Sequence, residues 1–134
     1  MSQEDLSVVR RMYDALARGD VFTFMGGLDP EIEWTVAPGF PYAEGNPYRG
    51  RDAVMQLFGR IMGEWKSFKI VGEEFLDGGE QVVVLGHYSA TCTATGKPVL
   101  AQFAHVGVVR SGKVVRYRQF ADTAQFVRAM SRGA

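Results

Sequence analysis

Hydrophobic positions in the first part of the chain recur with a helical period. Leu6, Val9, Tyr13 and Leu16 are three or four residues apart up to Gly19, which predicts a helix with one buried face. Ser2 with Asp5 has the form of a capping box at its start. Asp20 then caps a short second helix bearing Val21, Phe24, Met25 and Leu28, until Gly26, Gly27 and Pro30 break the pattern. Alternation from Ile32 to Val36, with Trp34 at its centre, predicts a short strand, and prolines and glycines between Pro38 and Tyr48 predict a loop. From Asp52, the residues Val54, Leu57, Phe58, Ile61, Met62 and Trp65 form the broad apolar stripe of a third helix.

Beyond this helix the period changes from 3.6 to 2. Strands are predicted over Phe68–Phe75, Gln81–Ala94, Val99–Arg110 and Lys113–Ala121, separated by Asp77-Gly78-Gly79, Thr95-Gly96-Lys97-Pro98 and Ser111-Gly112. Strands joined by such short turns pair antiparallel, because parallel pairing requires a long crossover. Asp122 with Gln125 has the form of a second capping box, opening a last helix with Ala124, Phe126, Val127 and Met130. The pattern describes an α+β fold with the long helices packed on one face of a curled antiparallel sheet.

The 134 residues match one domain, 1–134, and 46% hydrophobic with 22% charged residues is a globular composition. Fifteen Lys and Arg balance fifteen Asp and Glu, so the chain lacks the basic field that nucleic acid or an anionic membrane would select. Apolar runs such as Val82–Leu85 are far shorter than a bilayer span. Cys92 has no partner for an internal disulfide, and two histidines do not supply a Cys/His metal site. Glu4 and Asp5 stand where a secretory signal carries basic residues. The expectation is a soluble cytoplasmic protein.

The order of "VVRRMYDALARGD", "EIEWTVAPG", "YRGRDAV" and "GKVVRYRQFADTAQF" resembles the SnoaL-like branch of the nuclear transport factor 2-like superfamily, over nearly the whole chain. The resemblance implies a cone-shaped, cystatin-like fold: a strongly bent sheet wrapped around N-terminal helices, with a pocket at the open end. It also implies a homodimer formed through the outer sheet faces, and acid–base chemistry without a cofactor. Relatives include ketosteroid isomerase, limonene epoxide hydrolase, scytalone dehydratase, polyketide cyclases and non-catalytic modules, so fold does not select an activity. Matching the isomerase puts Met12 at its pocket tyrosine, Thr35 near its catalytic aspartate and His105 at its second acid. The terminal acid of the cyclases and the epoxide hydrolase matches Asp122.

The last hairpin also yields a site from its register. A three-residue loop Arg110-Ser111-Gly112 requires positive φ only at Gly112, and pairs Val109 with Lys113, His105 with Tyr117 and Phe103 with Gln119. These four side chains then share one face, while Gln102, Val106, Arg116 and Arg118 take the other. With the tight loop Ser111-Gly112, His105 would instead face Arg118.

His105 titrates near neutrality and suits a general acid or base; a core histidine bonded to Tyr117 or backbone is the alternative. Asp122 would orient His105 or act as base, although the ideal ladder leaves it roughly 16 Å beyond Tyr117 and a helix cap also explains it. Tyr88 falls opposite His105 if Thr95–Pro98 is a four-residue turn, and with Tyr117, Gln119 and Phe103 would position a substrate. His87 faces the other side. Trp34, Phe40, Tyr42 and Tyr48 form either an aromatic rim or hydrophobic plugs, with Trp34 and Tyr42 taken as substrate contacts. Cys92 has no basic neighbour in its strand to activate it. The whole describes a binder of a small, mostly apolar, cyclic molecule, acting as a cofactor-free isomerase, cyclase, dehydratase or hydrolase, or a non-catalytic binding or interaction module.

Overall fold

A computed structural model describes residues 3–132. The helices are α1 (Gln3–Ala17), α2 (Val21–Gly26), α3 (Arg51–Glu64) and α4 (Thr123–Met130). The strands are β1 (Leu28–Thr35), β2 (Tyr48–Arg49), β3 (Trp65–Asp77), β4 (Gln81–Cys92), β5 (Pro98–Arg110) and β6 (Lys113–Ala121), and Ala43–Gly45 forms a single 3₁₀ turn. The expected box at Ser2 lies outside the described residues, whereas Asp20 caps α2 by accepting from the Thr23 N–H at 3.0 Å. Asp122 precedes α4 without making a side-chain cap, so the capping box read there does not form.

The sheet runs β2-β1-β6-β5-β4-β3. The meander β3 to β6 is antiparallel, as its short turns require. The exception to the antiparallel expectation is β1, which lies parallel to β6 with Trp34 beside Tyr117. The crossover between them is everything from the loop after β1 through β2 and α3 to β5, long enough for a parallel return. Helix α1 packs on β3 and α4 on β5, so both ends of the chain close over one concave face. Inward positions alternate cleanly: Val82, Val84 and Tyr88 on β4, and Ala101, Phe103 and His105 on β5, are all buried. Met62, read as part of the buried stripe of α3, is 45% exposed, and Trp65 opens β3 instead of closing the helix.

The β5–β6 hairpin corrects the register. Arg110 pairs with Lys113 around a two-residue loop, with Ser111 at φ 51° and Gly112 at φ 75°, the signature of a type I′ turn. The pairing then slips: Val109 faces Val114 but Val108 faces Arg116, so Val115 is an extra residue bulged out of the ladder. Beyond it His105 pairs with Gln119 and Phe103 with Ala121. Each partner differs from the expected one by two positions. A shift of two preserves the face, and His105, Phe103, Tyr117 and Gln119 all point inward. The β4–β5 register also differs, placing Tyr88 opposite Ala101 and not His105.

Serine is a poor occupant of the left-handed region, where asparagine is enriched, and Asn-Gly is the favoured pair for this turn. Ser111→Asn should therefore stabilise the fold by a few tenths of a kcal/mol up to about 1, read as a raised urea midpoint with unchanged slope.

Candidate functional site

The concave face encloses a chamber of about 30 Å³, room for roughly two waters. Its walls are aliphatic and aromatic side chains of α1, α2 and α3 and of the sheet, and its polar groups are Tyr13, Tyr88, His105, Tyr117 and Gln119. No aspartate or glutamate lines it. The mouth lies between Leu16, Met62, Phe68 and Ile70, which also line an outer groove of about 480 Å³. Phe68 there follows Ser67, whose φ of 53° marks a bulge in the β3–β4 pairing between Lys66 and Lys69. A cyclic ligand needs these side chains to part.

His105 is 2% exposed and held at both ring nitrogens. The Tyr13 hydroxyl is 2.6 Å from Nδ1 and the Tyr88 hydroxyl 2.5 Å from Nε2. Tyr88 reaches it although it stands four residues along β4 from Val84, the ladder partner of His105. Phe103 stacks on the imidazole at 3.7 Å between ring centres and 5° between planes, fixing the ring from behind. Trp34 stacks likewise on Tyr117, at 3.6 Å and 17°. The Ala37 N–H donates to Gln119 Oε1 at 3.2 Å, which orients the amide so that Nε2 donates to the Tyr88 hydroxyl at 3.0 Å.

Burial in this apolar setting holds His105 well below its ordinary pKa, so the ring is neutral near pH 7. The same desolvation pushes Tyr13, Tyr88 and Tyr117 upward, with Tyr117 raised further by its neighbours Tyr13 and Tyr88. A neutral imidazole has one N–H and one lone pair. If Nε2 holds the proton, Tyr88 accepts from both His105 and Gln119, and its own O–H is shared between the adjacent Tyr117 hydroxyl and a ligand. If Nδ1 holds it, the O–H shared between Tyr117 and a ligand is that of Tyr13. In either tautomer the cluster presents a phenolic donor to an oxygen acceptor, and exchanging tautomers moves that donor from one side of the ring to the other.

The other expected residues separate clearly. Trp34, Tyr88, Tyr117 and Gln119 line the chamber with His105, while Phe103 backs it. Asp122 is exposed, and both nitrogens it was expected to orient are occupied by tyrosines, so the structure does not bring it to His105. Tyr42 does not line the chamber either: its hydroxyl donates to Glu64 Oε1 at 2.7 Å and accepts from Trp65 Nε1 at 2.9 Å. Tyr48 donates to the Tyr42 carbonyl at 2.5 Å, and Asn46 bonds both backbone groups of Val36. The Pro38–Tyr48 loop is thus a pinned plug, with Phe40 its contribution to the chamber wall. His87 sits 2.8 Å from Glu73 on the outer face, as its parity requires. Cys92 has a basic neighbour after all: burial raises its pKa, but hydrogen bonds from Thr95 and the charge of Arg132 bring the thiol below its ordinary value.

The sequence profile of the SnoaL-like domain matches residues 9–117. The chain belongs to the SnoaL-like family. Among solved structures, this SnoaL-like chain is similar to a nuclear transport factor 2-like protein from Burkholderia thailandensis, with 35% identity over 95% of this chain and 97% of that one and a TM-score of 0.89. A second, of unknown function, from Burkholderia pseudomallei shares 29% identity over 98% and 99% of the chains, with a TM-score of 0.86. TerC, crystallised with polyporic acid, has the same fold at 22% identity, covering 95% and 98%, with a TM-score of 0.84. No protein of curated function matches the chain.

Tyr13 is the site residue of this SnoaL-like chain that the sequence reading missed. Its helical spacing marks it as core, and that is correct, but a buried phenol needs a partner for its hydroxyl. That requirement, and its place next to Met12 in the matched segment, were the signals available.

A histidine whose folded-state pKa is depressed binds its proton in the unfolded chain first. Its contribution to stability is complete above about pH 6.5 and is lost as pH falls toward the folded value, with a limiting slope of about 1.4 kcal/mol per pH step. Urea unfolding from about pH 5 to 8 should show stability rising with pH up to about 6.5, while the ¹⁵N shifts of His105 stay those of a neutral ring.

Proposed function

We propose that this protein binds a small, mostly apolar, cyclic molecule carrying an oxygen acceptor and acts on it by acid–base chemistry without a cofactor. The observation behind this reading is His105 held neutral between Tyr13 and Tyr88 in an apolar chamber. Phenolic donors aimed at a ligand oxygen stabilise the negative charge that builds there when a neighbouring carbon loses a proton. His105 passes a proton between the phenols by exchanging tautomers, so one phenol protonates the ligand while the other takes a proton up. Isomerisation, aldol-type cyclisation, dehydration and hydrolysis all draw on such a donor pair. The polyporic acid crystallised with TerC is in keeping with a cyclic ligand. A second reading, ligand binding without turnover, is favoured by the chamber's lack of a carboxylate base.

Thermal unfolding with steroids, terpene epoxides and aromatic polyketides tests binding. A ligand at 100 times its Kd adds about 2.7 kcal/mol if it binds only the folded state, and Tyr88→Phe should weaken that binding by about 1 kcal/mol. For a ligand that is turned over, kcat/KM should be flat from neutral pH upward and fall only in acid, as His105 protonates. A rate that tracks an ionisation near neutrality overturns the neutral-histidine mechanism.

No described helix is long and apolar enough to cross a membrane. Cys92, the one cysteine of the sequence, supports a reducing compartment, and we propose the cytoplasm. The outer sheet face supports a homodimer. Leu100 is 68% exposed and Phe120 48%, and the ladder sets Leu85, Ala104 and Phe120 in one row beside Val83 and Val106. Light scattering at micromolar concentration should give twice the chain mass, and Phe120→Lys should give the monomer; a monomeric wild type rules the dimer out.

A further inference from the structure

Behind His105 lies a second cavity of about 20 Å³ that the site described above does not use. Tyr13, Phe24, His105 and Tyr117 border both cavities, so one interior is divided in two and the Tyr13–His105 hydrogen bond is the bar across it. On the far side every other wall is apolar: Val9 and Met12 from α1, Leu28 from β1, Val82 and Val84 from β4, and Val114 from β6.

The remaining wall residue is Gly107, two positions from His105 and facing the same way. Nothing in the backbone demands a glycine there. Its φ is not left-handed, and an added Cβ would meet Val82 Cγ1 at 3.4 Å and nothing else closer than 3.8 Å, ordinary contact distances. Gly86 on the neighbouring strand is the contrast: a Cβ there would lie 1.9 Å from the Val71 carbonyl oxygen, so the close approach of β3 requires it. Glycine inside a strand costs stability relative to alanine. What Gly107 supplies in return is empty space at the end of the interior.

We infer that Gly107 keeps open a deep apolar subsite for a short alkyl arm of the ligand, rotation of Tyr13 away from His105 joining the two cavities. The inference rests on the binding reading above and narrows its ligand class. The ring occupies the outer chamber, its carbonyl or phenolic oxygen meets Tyr88 and His105, whose mutual hydrogen bond stays in place while Tyr13 turns, and an arm of one or two carbons beside that oxygen reaches toward Gly107. The cavity's size sets the arm, because about 20 Å³ admits a body of roughly methyl or water size before Tyr13 moves.

Crystals of the wild type and of Gly107→Ala under xenon pressure test the cavity without any ligand. Xenon should sit among Val82, Val84 and Val114 in the wild type and be absent there in the variant, whose melting temperature should rise by a few degrees. A wild type without xenon at that place, or a variant that melts lower, overturns the inference. Calorimetry with acetophenone and propiophenone then tests the arm: the added methylene should tighten wild-type binding about fourfold, and that ratio should fall to about one in Gly107→Ala. An equal ratio in both proteins overturns the assigned arm. Xenon lost on substitution, with neither ketone bound by the wild type, upholds the cavity and strikes the oxygen-acceptor reading of the site.

Discussion

Side chains on a strand alternate between its faces, so the loop of a hairpin decides which residues of the second strand share a face with the first. In β5–β6 the two-residue turn alone would send Arg116, Arg118 and Phe120 inward, opposite Gly107, His105 and Phe103 in that order. Two arginines would then lie in an apolar interior without partners, at a cost of several kcal/mol each. The bulge at Val115 removes that conflict by one extra residue, and everything beyond it depends on the correction. Tyr117 enters to stack on Trp34, and Gln119 enters to hold Tyr88. Arg118 is left outside, its guanidinium 5.6 Å from the centre of the Phe120 ring.

The polar cluster that results carries no formal charge, and its hydrogen bonds are internal. Among the described residues no buried side-chain nitrogen or oxygen lacks a partner. In so dry an interior an unpaired group would cost more than its bond returns. The arrangement therefore selects ligands by polarity as well as by shape: a charged molecule would lose its hydration without meeting an opposite charge, whereas a neutral oxygen acceptor finds donors already oriented. It also explains why the aromatic side chains stand so close, since each ring holds a hydrogen-bonding neighbour at a fixed angle.

Most of the fold was legible because it rests on period and turn chemistry, which are local. The two long helical stripes, of α1 and α3, and the four-strand meander follow from spacing alone. The register of the last hairpin was not, and the reason is specific: Val114 and Tyr117 are both inward although three residues apart, whereas a three-residue loop puts Tyr117 and Gln119 inward with unbroken alternation and turns Val114 outward. The parallel pairing of β1 with β6 joins segments from opposite ends of the chain and has no local signature. At the site, the strand residues His105, Tyr117 and Gln119 could be grouped by parity. Tyr13 arrives from a helix whose stripe records only that the ring is buried. Asp122 is singled out by its matched position and Tyr42 as an aromatic beside the Pro/Gly loop, and neither signal reveals that one side chain stays in solvent and the other is already bonded to Glu64 and Trp65.

The parallel ladder between β1 and β6 also orders events in time. Trp34 leaves the ribosome long before its ladder neighbour Tyr117, with β2, α3 and three further strands made between them. Until then β1 has only the two-residue β2 to pair with, and the face of Trp34 that stacks on Tyr117 has no cover. Contacts of such sequence separation are slow to close, because loop entropy is lost before they form. From the emergence of β1 until β6 follows it, the nascent chain thus carries an unpaired strand edge and an indole face without its stacking partner, and both are covered only when the β5–β6 hairpin docks.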